Sequence, residues 1–392
     1  MASPVELDLD LLLRPIAEAQ PCGPDLREDA SPSSPFLEIK DARRNARAAE
    51  RTLSSFSFGA EVAAEGDDAR AATEARATAD QSWERILELA PAVIAERSKD
   101  LEVTAYWIEA LTRQRGFAGL RDGLKLARGL VEAFWDTLYP APDAEDGVAA
   151  RSAPLANLNG DGPDGPLPSR IALLPLTDAI DERGGFSTWH FNQARELGRL
   201  TNPDERGERE RAGAVSMAHF EAAIAATDAA SLAQTAADIE EALAEWEALS
   251  RAIGERSQGY FPPASAVRDA LASALDTLRF SAKDKLESES AFAASADAAG
   301  PGPQGDAASE RGARPQVPGV IQSREDAFRA LQSAAQYFRR TEPHSPLSYA
   351  IEQAVRWGSL SLPELLRELV TDESARAQYF QRVGIKDDSL PS

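Results

Sequence analysis

Apolar positions recur at helical spacing along most of this chain. Trp83, Ile86, Leu87, Ala90, Val93 and Ile94 share one face of a helix. A second stripe, Leu101, Ala105, Ile108 and Leu111, starts directly after Asp100, a residue suited to cap a helix N-terminus, and ends at Gly116. Leu120, Leu124, Ala127, Val131, Trp135 and Leu138 form a third, stopped by Pro140 and Pro142. Three such helices joined by short turns predict an antiparallel bundle. Further on, Phe220 and Ile224 open a stripe that halts at Thr227-Asp228-Ala229-Ala230, where Asp228 or Ser231 can cap the next helix. That helix buries Ile239, Ala242, Leu243, Trp246, Leu249 and Ile253, and another carries Val267, Leu271, Leu275 and Leu278. These predict helical hairpins with alanine at their contacts; no fixed repeat period is present.

The intervening segments are less regular. Leu7 to Ile16 is a short apolar run, and Gln20-Pro21-Cys22-Gly23-Pro24-Asp25-Leu26 reads as an ordered loop. Phe36 to Arg51 is a basic helical stretch, followed by a polar, alanine-rich one from Ala60 to Ala79. Ala141 to Pro168 is rich in Gly, Pro, Asp and Asn and is expected to be a loop. Ile171 to Leu176 is a short apolar run, helix or loop because a lone strand would lack a partner. Thr201 to Arg211 is highly charged and reads as a surface connection. Lys285 to Gln322 holds Ala, Gly, Pro, Ser and acidic residues; it cannot bury enough surface to offset chain entropy and is expected to be a disordered tether.

Beyond the tether the pattern gives four short helices. Phe328, Leu331, Ala335 and Phe338 mark the first; Leu347, Ile351 and Val355 the second. Leu362, Leu365, Leu366 and Leu369 follow, then Tyr379, Phe380 and Val383, ended by Gly384. Between the first two lies Glu342-Pro343-His344-Ser345-Pro346, a rigid corner bracketed by prolines. A module of ~70 residues with so thin a core is marginal alone, and self-association would bury more of it.

The chain has 392 residues; much of its hydrophobic fraction of 43% is alanine, and aromatics make up 7%. That balance argues for an all-α protein. The expected architecture is a helical-bundle N-terminal domain (1–200), a helical-hairpin middle region (201–285), a disordered linker (286–322) and a small helical C-terminal oligomerisation module (323–392). The net charge is −22, and residues 323–392, with nine Lys/Arg against ten Asp/Glu, account for only −1 of it. The remaining −21 repels phosphate backbones and anionic membranes, so nucleic acid and lipid are poor partners for the main body. A single cysteine, Cys22, precludes an intrachain disulfide and suits the cytoplasm. The first residues lack the basic flank and apolar core of a signal peptide, and no stretch approaches the ~20 apolar residues of a membrane helix.

Candidate chemistry is sparse. The three histidines, His190, His219 and His344, have no metal-ligand spacing. His344-Ser345 beside Glu342 lacks the strained elbow of a hydrolase, so a structural role is expected. Gly160-Asp161-Gly162-Pro163-Asp164-Gly165 is acidic and lacks the lysine of a phosphate loop. Cys22 has no basic sequence neighbour to activate it and reads as a packed loop residue. Asp100, next to Lys99, reads as a cap or surface ion pair. Trp83, Trp107 and Trp135 lie on or beside helical stripes and read as core, with a partner surface as the other option for Trp107; Trp357 suits core or interface equally.

Several segments together resemble a known family. Leu12-Leu13-Arg14-Pro15-Ile16 with Pro21-Cys22-Gly23-Pro24-Asp25-Leu26, then Arg97-Ser98-Lys99-Asp100-Leu101-Glu102-Val103-Thr104-Ala105-Tyr106-Trp107, then Phe134-Trp135-Asp136-Thr137-Leu138-Tyr139-Pro140 are similar to the ImpA-type N-terminal domain of TssA proteins of bacterial type VI secretion systems. The Glu342–Pro346 run and the helices after it resemble that family's C-terminal module. The resemblance implies a cytoplasmic, non-enzymatic assembly factor without cofactor or metal. It implies a homo-oligomeric ring that engages the baseplate and promotes or caps polymerisation of the inner tube and contractile sheath, so the implied partners are itself and baseplate, tube and sheath subunits. Candidate oligomerisation residues are Tyr337, Phe338, Glu342, Pro343, His344, Pro346, Trp357 and Leu366. Pro21, Cys22, Gly23, Asp25, Leu26, Asp100, Leu101, Trp107 and Trp135 are the structural or partner-binding motif of the N-terminal domain. Two alternatives stand beside it: a monomeric adaptor or chaperone for one secretion-system partner, and an enzyme using Cys22 or His344/Ser345.

Overall fold

The computed structural model describes residues 2–289, apart from 30, 32, 56–66, 146, 161, 180–183 and 258–261; further on it describes 328, 331–332, 335–336, 339–340 and 347–359. The fold is all-α, and among the described residues only isolated bridges occur in place of strands. Two compact units divide the chain, Met1–Pro301 and Gly302–Ser392.

In the first unit a short helix, α1 (Leu9–Leu12), precedes α2 (Pro35–Ser55) and α3 (Asp67–Ala92). The last two pack along their lengths. Alanine explains the fit: Ala42, Ala46 and Ala49 on α2 and Ala72, Ala75 and Ala79 on α3 are all buried, and small side chains let two helix axes approach. A five-residue π turn, Val93–Arg97, ends α3, and the chain runs extended into α4 (Leu101–Phe134). At Gly116 (φ 59°, ψ −139°) α4 folds back on itself, as the sequence predicts for the end of that helix. The two arms touch where side chains vanish. A Cβ on Gly119 would lie 2.4 Å from the Leu111 carbonyl oxygen, and one on Gly123 would lie 2.8 Å from Ile108 Cγ1.

The rest of the unit wraps this hairpin: α5 (Ala149–Asn159), α6 (Pro166–Leu173), α7 (Thr188–Arg199), α8 (Pro203–Arg211), α9 (Met217–Ala226), α10 (Ala229–Arg256) and α11 (Ser265–Ser281). Helix α10 runs along α4 and packs on α11, which packs on α6. One buried cluster therefore extends from Leu12 to Ala282, and the N-terminal and middle regions share it.

Three sequence expectations are corrected. Part of the expected loop 141–168 is helix α5, whose internal Pro154 hides its period. The expected surface connection 201–211 is helix α8, capped by Asn202 with Pro203 in its first turn; it buries no residue, so it has no apolar stripe to read. Residues 283–289 are helical, and Lys285 Nζ donates to the carbonyls of Ala225 (2.7 Å) and Thr227 (2.6 Å). The start of the expected tether is thus fastened to the unit; the remainder, from 290, lies outside the described residues. Asp228 is the cap of α10, accepting from Ala230 N at 3.1 Å.

In the second unit, α12 (Leu347–Ser359) carries Ser348, buried, and Tyr349, 62% exposed. Arg339 pairs with Glu352 at 2.7 Å and lies over the Tyr349 ring. Tyr337, Phe338, Glu342, Pro343, His344, Ser345, Pro346 and Leu366 lie outside the described residues, as do the expected helices at 362–369 and 379–383. No helix among the described residues is long and apolar enough to cross a membrane.

Candidate functional site

The N-terminal motif residues, up to 114 positions apart in sequence, are held by a knot of three crossing segments. The loop 20–26 is the first. Gly23 N donates to Gln20 O (2.9 Å), closing a turn at φ +69°. A Cβ there would sit 2.1 Å from the Arg97 carbonyl oxygen, so the position requires glycine both for its backbone and for space. The second segment, Ser98–Asp100, runs alongside: Lys99 N donates to Cys22 O (2.9 Å) and Ser98 Oγ to Pro24 O (2.7 Å). The third ends α4. Tyr139 N donates to Lys99 O (3.1 Å), Leu101 N donates to Tyr139 O (2.8 Å), and the Tyr139 hydroxyl reaches Gly23 O (3.2 Å).

Asp100 is the centre of charge. It is fully buried and caps α4, its Oδ1 accepting from Glu102 N (2.7 Å) and Val103 N (3.1 Å). Arg27 donates to Asp100 Oδ2 (2.6 Å) and to Glu102 Oε2 (2.6 Å), and Asp25 holds the same guanidinium at 3.1 Å. Burial pushes the Asp100 carboxyl up, against the pull of Arg27 and the two amides. The expected pairing of Asp100 with Lys99 is corrected: Lys99 turns the other way, fully buried, and donates to the carbonyls of Leu12 (2.8 Å) and Ile94 (2.7 Å).

Cys22 is buried, with Sγ 3.2 Å from Thr137 Oγ1. Burial raises its thiol above the ordinary value. The expectation that nothing basic lies near it is also corrected, since the fields of Lys99 and Arg151 reach it and oppose that rise. Leu26, Leu101, Trp107 and Trp135 are buried; Pro21 and Asp25 are half-buried. Arg151 ties Trp135 in by donating to its carbonyl and to Pro140 O (3.2 Å). The motif is therefore an interlock that fixes the start of α4.

Lys99 gives the knot a pH dependence. Burial lowers its amine from the ordinary 10.5 to about 8. Between those values the unfolded chain holds a proton that the folded one has released, so stability from this site rises with pH, by up to ~1.4 kcal/mol per unit. The neutral amine keeps donors for both carbonyls. Urea denaturation of the wild type and of Lys99→Met at pH 7.5 and 9 should show the wild type gaining relative to the variant; parallel behaviour would show that Lys99 does not titrate there.

A second network was not legible from motifs. Arg121, Asp122 and Asp238 are all buried. Arg121 donates to Asp122 Oδ1 (2.8 Å), Asp238 Oδ1 (2.6 Å) and the carbonyl of Ser3 (2.7 Å). Ser3 N and Oγ in turn donate to Asp238 (2.8 and 2.6 Å), and Glu6 N donates to Asp122 (2.9 Å). The only trace in the sequence is a pair of charged residues inside the α4 stripe.

Trp357, in the second unit, is half-buried, and its indole N–H is buried with no acceptor among the described residues.

Comparison with known proteins agrees with these features. Residues 13–160 match the family described as ImpA, N-terminal, type VI secretion system, a span that contains the whole knot. The chain is 27% identical over 374 residues to the type VI secretion system component TssA1 of Pseudomonas aeruginosa, covering 93% of this chain and 96% of that protein. A solved structure also resembles it: the N-terminal domain, including the conserved ImpA_N region, of the TssA component of the type VI secretion system from Burkholderia cenocepacia. It shares 25% identity with a TM-score of 0.56, covering 72% of this chain and 96% of that one.

Proposed function

We propose that this chain, which belongs to the TssA family of bacterial type VI secretion systems, is a cytoplasmic, oligomeric scaffold that engages the baseplate and promotes or caps polymerisation of the inner tube and sheath. Residues 323–392 self-associate into a ring, with Tyr337, Phe338, Glu342, Pro343, His344, Pro346, Trp357 and Leu366 at or near the contacts. The N-terminal unit presents docking surfaces to baseplate, tube and sheath subunits.

The observation that carries this reading is the surface of the second unit. Tyr349 and Leu331 are exposed there, and the Trp357 indole N–H is buried with no acceptor among the described residues. Phe328, Gln332, Gln336, Glu352, Val355 and Arg356 line an open groove of about 690 Å³. A second copy of the module would supply apolar cover and an acceptor. A ring then multiplies weak N-terminal contacts through effective concentration. The buried positions of Cys22, Lys99 and Asp100 favour an interlocking role over catalysis.

Truncation after Gln322 tests the assignment. The full chain should sediment as a discrete oligomer and the truncated chain as a folded monomer. An oligomer unchanged by the truncation would move the ring contacts elsewhere, and a full chain that sediments as a monomer would favour an adaptor holding one partner.

A further inference from the structure

The first unit holds an open cleft between α4 and α5. Its α4 side is Glu102, Ala105, Tyr106 and Glu109, spaced so that all four share one face of the helix. Its α5 side is Ala150, Ala153, Pro154 and Asn157, at the same spacing. Arg43 of α2, with Pro140 and Leu158, completes the lining of a space of about 250 Å³. The cleft reaches the surface: Asn157 is exposed, and Arg43, Tyr106, Ala153 and Pro154 are half-buried. Its volume lies below the roughly 300–1,000 Å³ of a small-molecule pocket and suits one large side chain.

The charges in the lining are already matched. Arg43 donates to Glu109 Oε1 through Nε and Nη2, each at 2.7 Å, and Arg47 lies 3.6 Å from Glu109 Oε2. Glu102 accepts the Tyr106 hydroxyl on Oε1 and Arg27 on Oε2 (2.6 Å). Helix α5 carries no acid, and its one charged residue, Arg151, turns inward to the carbonyls of Trp135 and Pro140. A cation entering the cleft would meet Arg43 and find both carboxylates taken. An anion would meet Glu102 and Glu109 in a chain of net charge −22. The walls therefore admit an uncharged occupant. The Arg43 guanidinium favours a ring over an aliphatic chain. It lies 4.6 Å from the centroid of the Tyr106 ring, and its two bonds to Glu109 fix its orientation. A fixed guanidinium plane beside a ring is a stacking surface, on which a second ring gains cation–π and ring–ring contacts that an aliphatic chain lacks.

We propose that this cleft is the docking slot for one aromatic side chain of a partner protein, seated between the Arg43–Tyr106 stack and the Ala153–Pro154 wall of α5. Trp and Tyr are enriched among the residues that anchor interfaces in such slots. The proposal rests on the reading of the first unit as a docking surface and adds the chemistry of the anchor; it does not depend on ring formation.

Saturation-transfer NMR on the full chain with N-acetyltryptophanamide, N-acetylleucinamide and Nα-acetyllysinamide tests it. The tryptophan amide should bind with a Kd on the order of 10 mM, the scale of a single anchor, and the other two markedly more weakly. Arg43→Lys keeps a cation beside Glu109 but loses the plane, and should weaken the tryptophan amide about two- to five-fold. Ala153→Phe should fill the slot from within: it should melt at or above the wild type, and the tryptophan amide signal should vanish. The proposal is overturned if the tryptophan amide gives no signal at several times that concentration. Leucine amide binding as tightly, or Arg43→Lys binding the tryptophan amide unchanged, would mean a merely apolar cleft, and tighter lysine amide binding a cation site. A tryptophan amide signal that survives in Ala153→Phe would place the binding elsewhere on the chain. Ala153→Phe melting well below the wild type would mean overpacking, with no room for a ring. These probes report neither oligomer state nor secretion, so their failure leaves the scaffold reading standing.

Discussion

Replacing Arg121 with methionine is expected to cost the first unit about 3–5 kcal/mol, because it leaves Asp122 and Asp238 buried without their shared cation. The stem of the side chain is kept, so the loss is of charge and donors more than of volume. The same change frees the N-terminal segment, whose Ser3 and Pro4 carbonyls accept from that guanidinium. Residues 3–6 bridge α4 to α10 through this triad, so their release should also loosen α10. Two measurements check it. Urea denaturation should shift to a lower midpoint, and limited proteolysis should clip the first residues of the variant while sparing the wild type. Replacing all three charges, Arg121→Met with Asp122→Leu and Asp238→Leu, separates charge from packing. The triple variant should recover much of the lost stability, since an apolar cluster needs no pairing, yet its N-terminus should stay sensitive to protease. A triple variant as unstable as the single one would mean that shape, not charge balance, decides the site.

The stripes around Trp83, Leu101 and Leu120 were legible because each has a sustained period of 3.6 and a clear stop, and Gly116 and Asp228 act in the structure as the pattern requires. Helices α5 and α8 were not, one because Pro154 interrupts a short pattern, the other because every residue faces water. The knot was legible as a set of residues but not as an arrangement. Proline, glycine and cysteine at 21–23 mark a constrained turn, but nothing local says that its carbonyls meet Lys99 and the Tyr139 hydroxyl. Adjacency misled at Asp100: its sequence neighbour Lys99 suggested a surface pair, while the fold sends one side chain into an amine cage of carbonyls and the other to Arg27, 73 residues away. The Arg121 triad depends wholly on tertiary placement, so charge counting along the chain does not reach it.

Asp100 carries two tasks that substitution can separate. Asp100→Ala removes the acceptor for Glu102 N and Val103 N at the start of α4 and takes from Arg27 its shortest buried partner. Loss of the cap alone costs ~1 kcal/mol, and the orphaned pairing adds to it, for a total expected near 3 kcal/mol. Asp100→Asn keeps an amide oxygen for the cap and removes the charge together with the Oδ2 acceptor that Arg27 uses. Burial already disfavours that charge, and Glu102 and Asp25 remain on Arg27. The asparagine variant should therefore fall well short of the alanine loss, by roughly half. Hydrogen exchange at the first turn of α4 distinguishes the two: alanine should expose the amides of Glu102 and Val103 to fast exchange, and asparagine should leave them protected. If both variants lose the same stability, the ion pair with Arg27, not the cap, holds the knot closed, and the crossing of 20–26 over 98–100 rests on electrostatics that added salt would weaken.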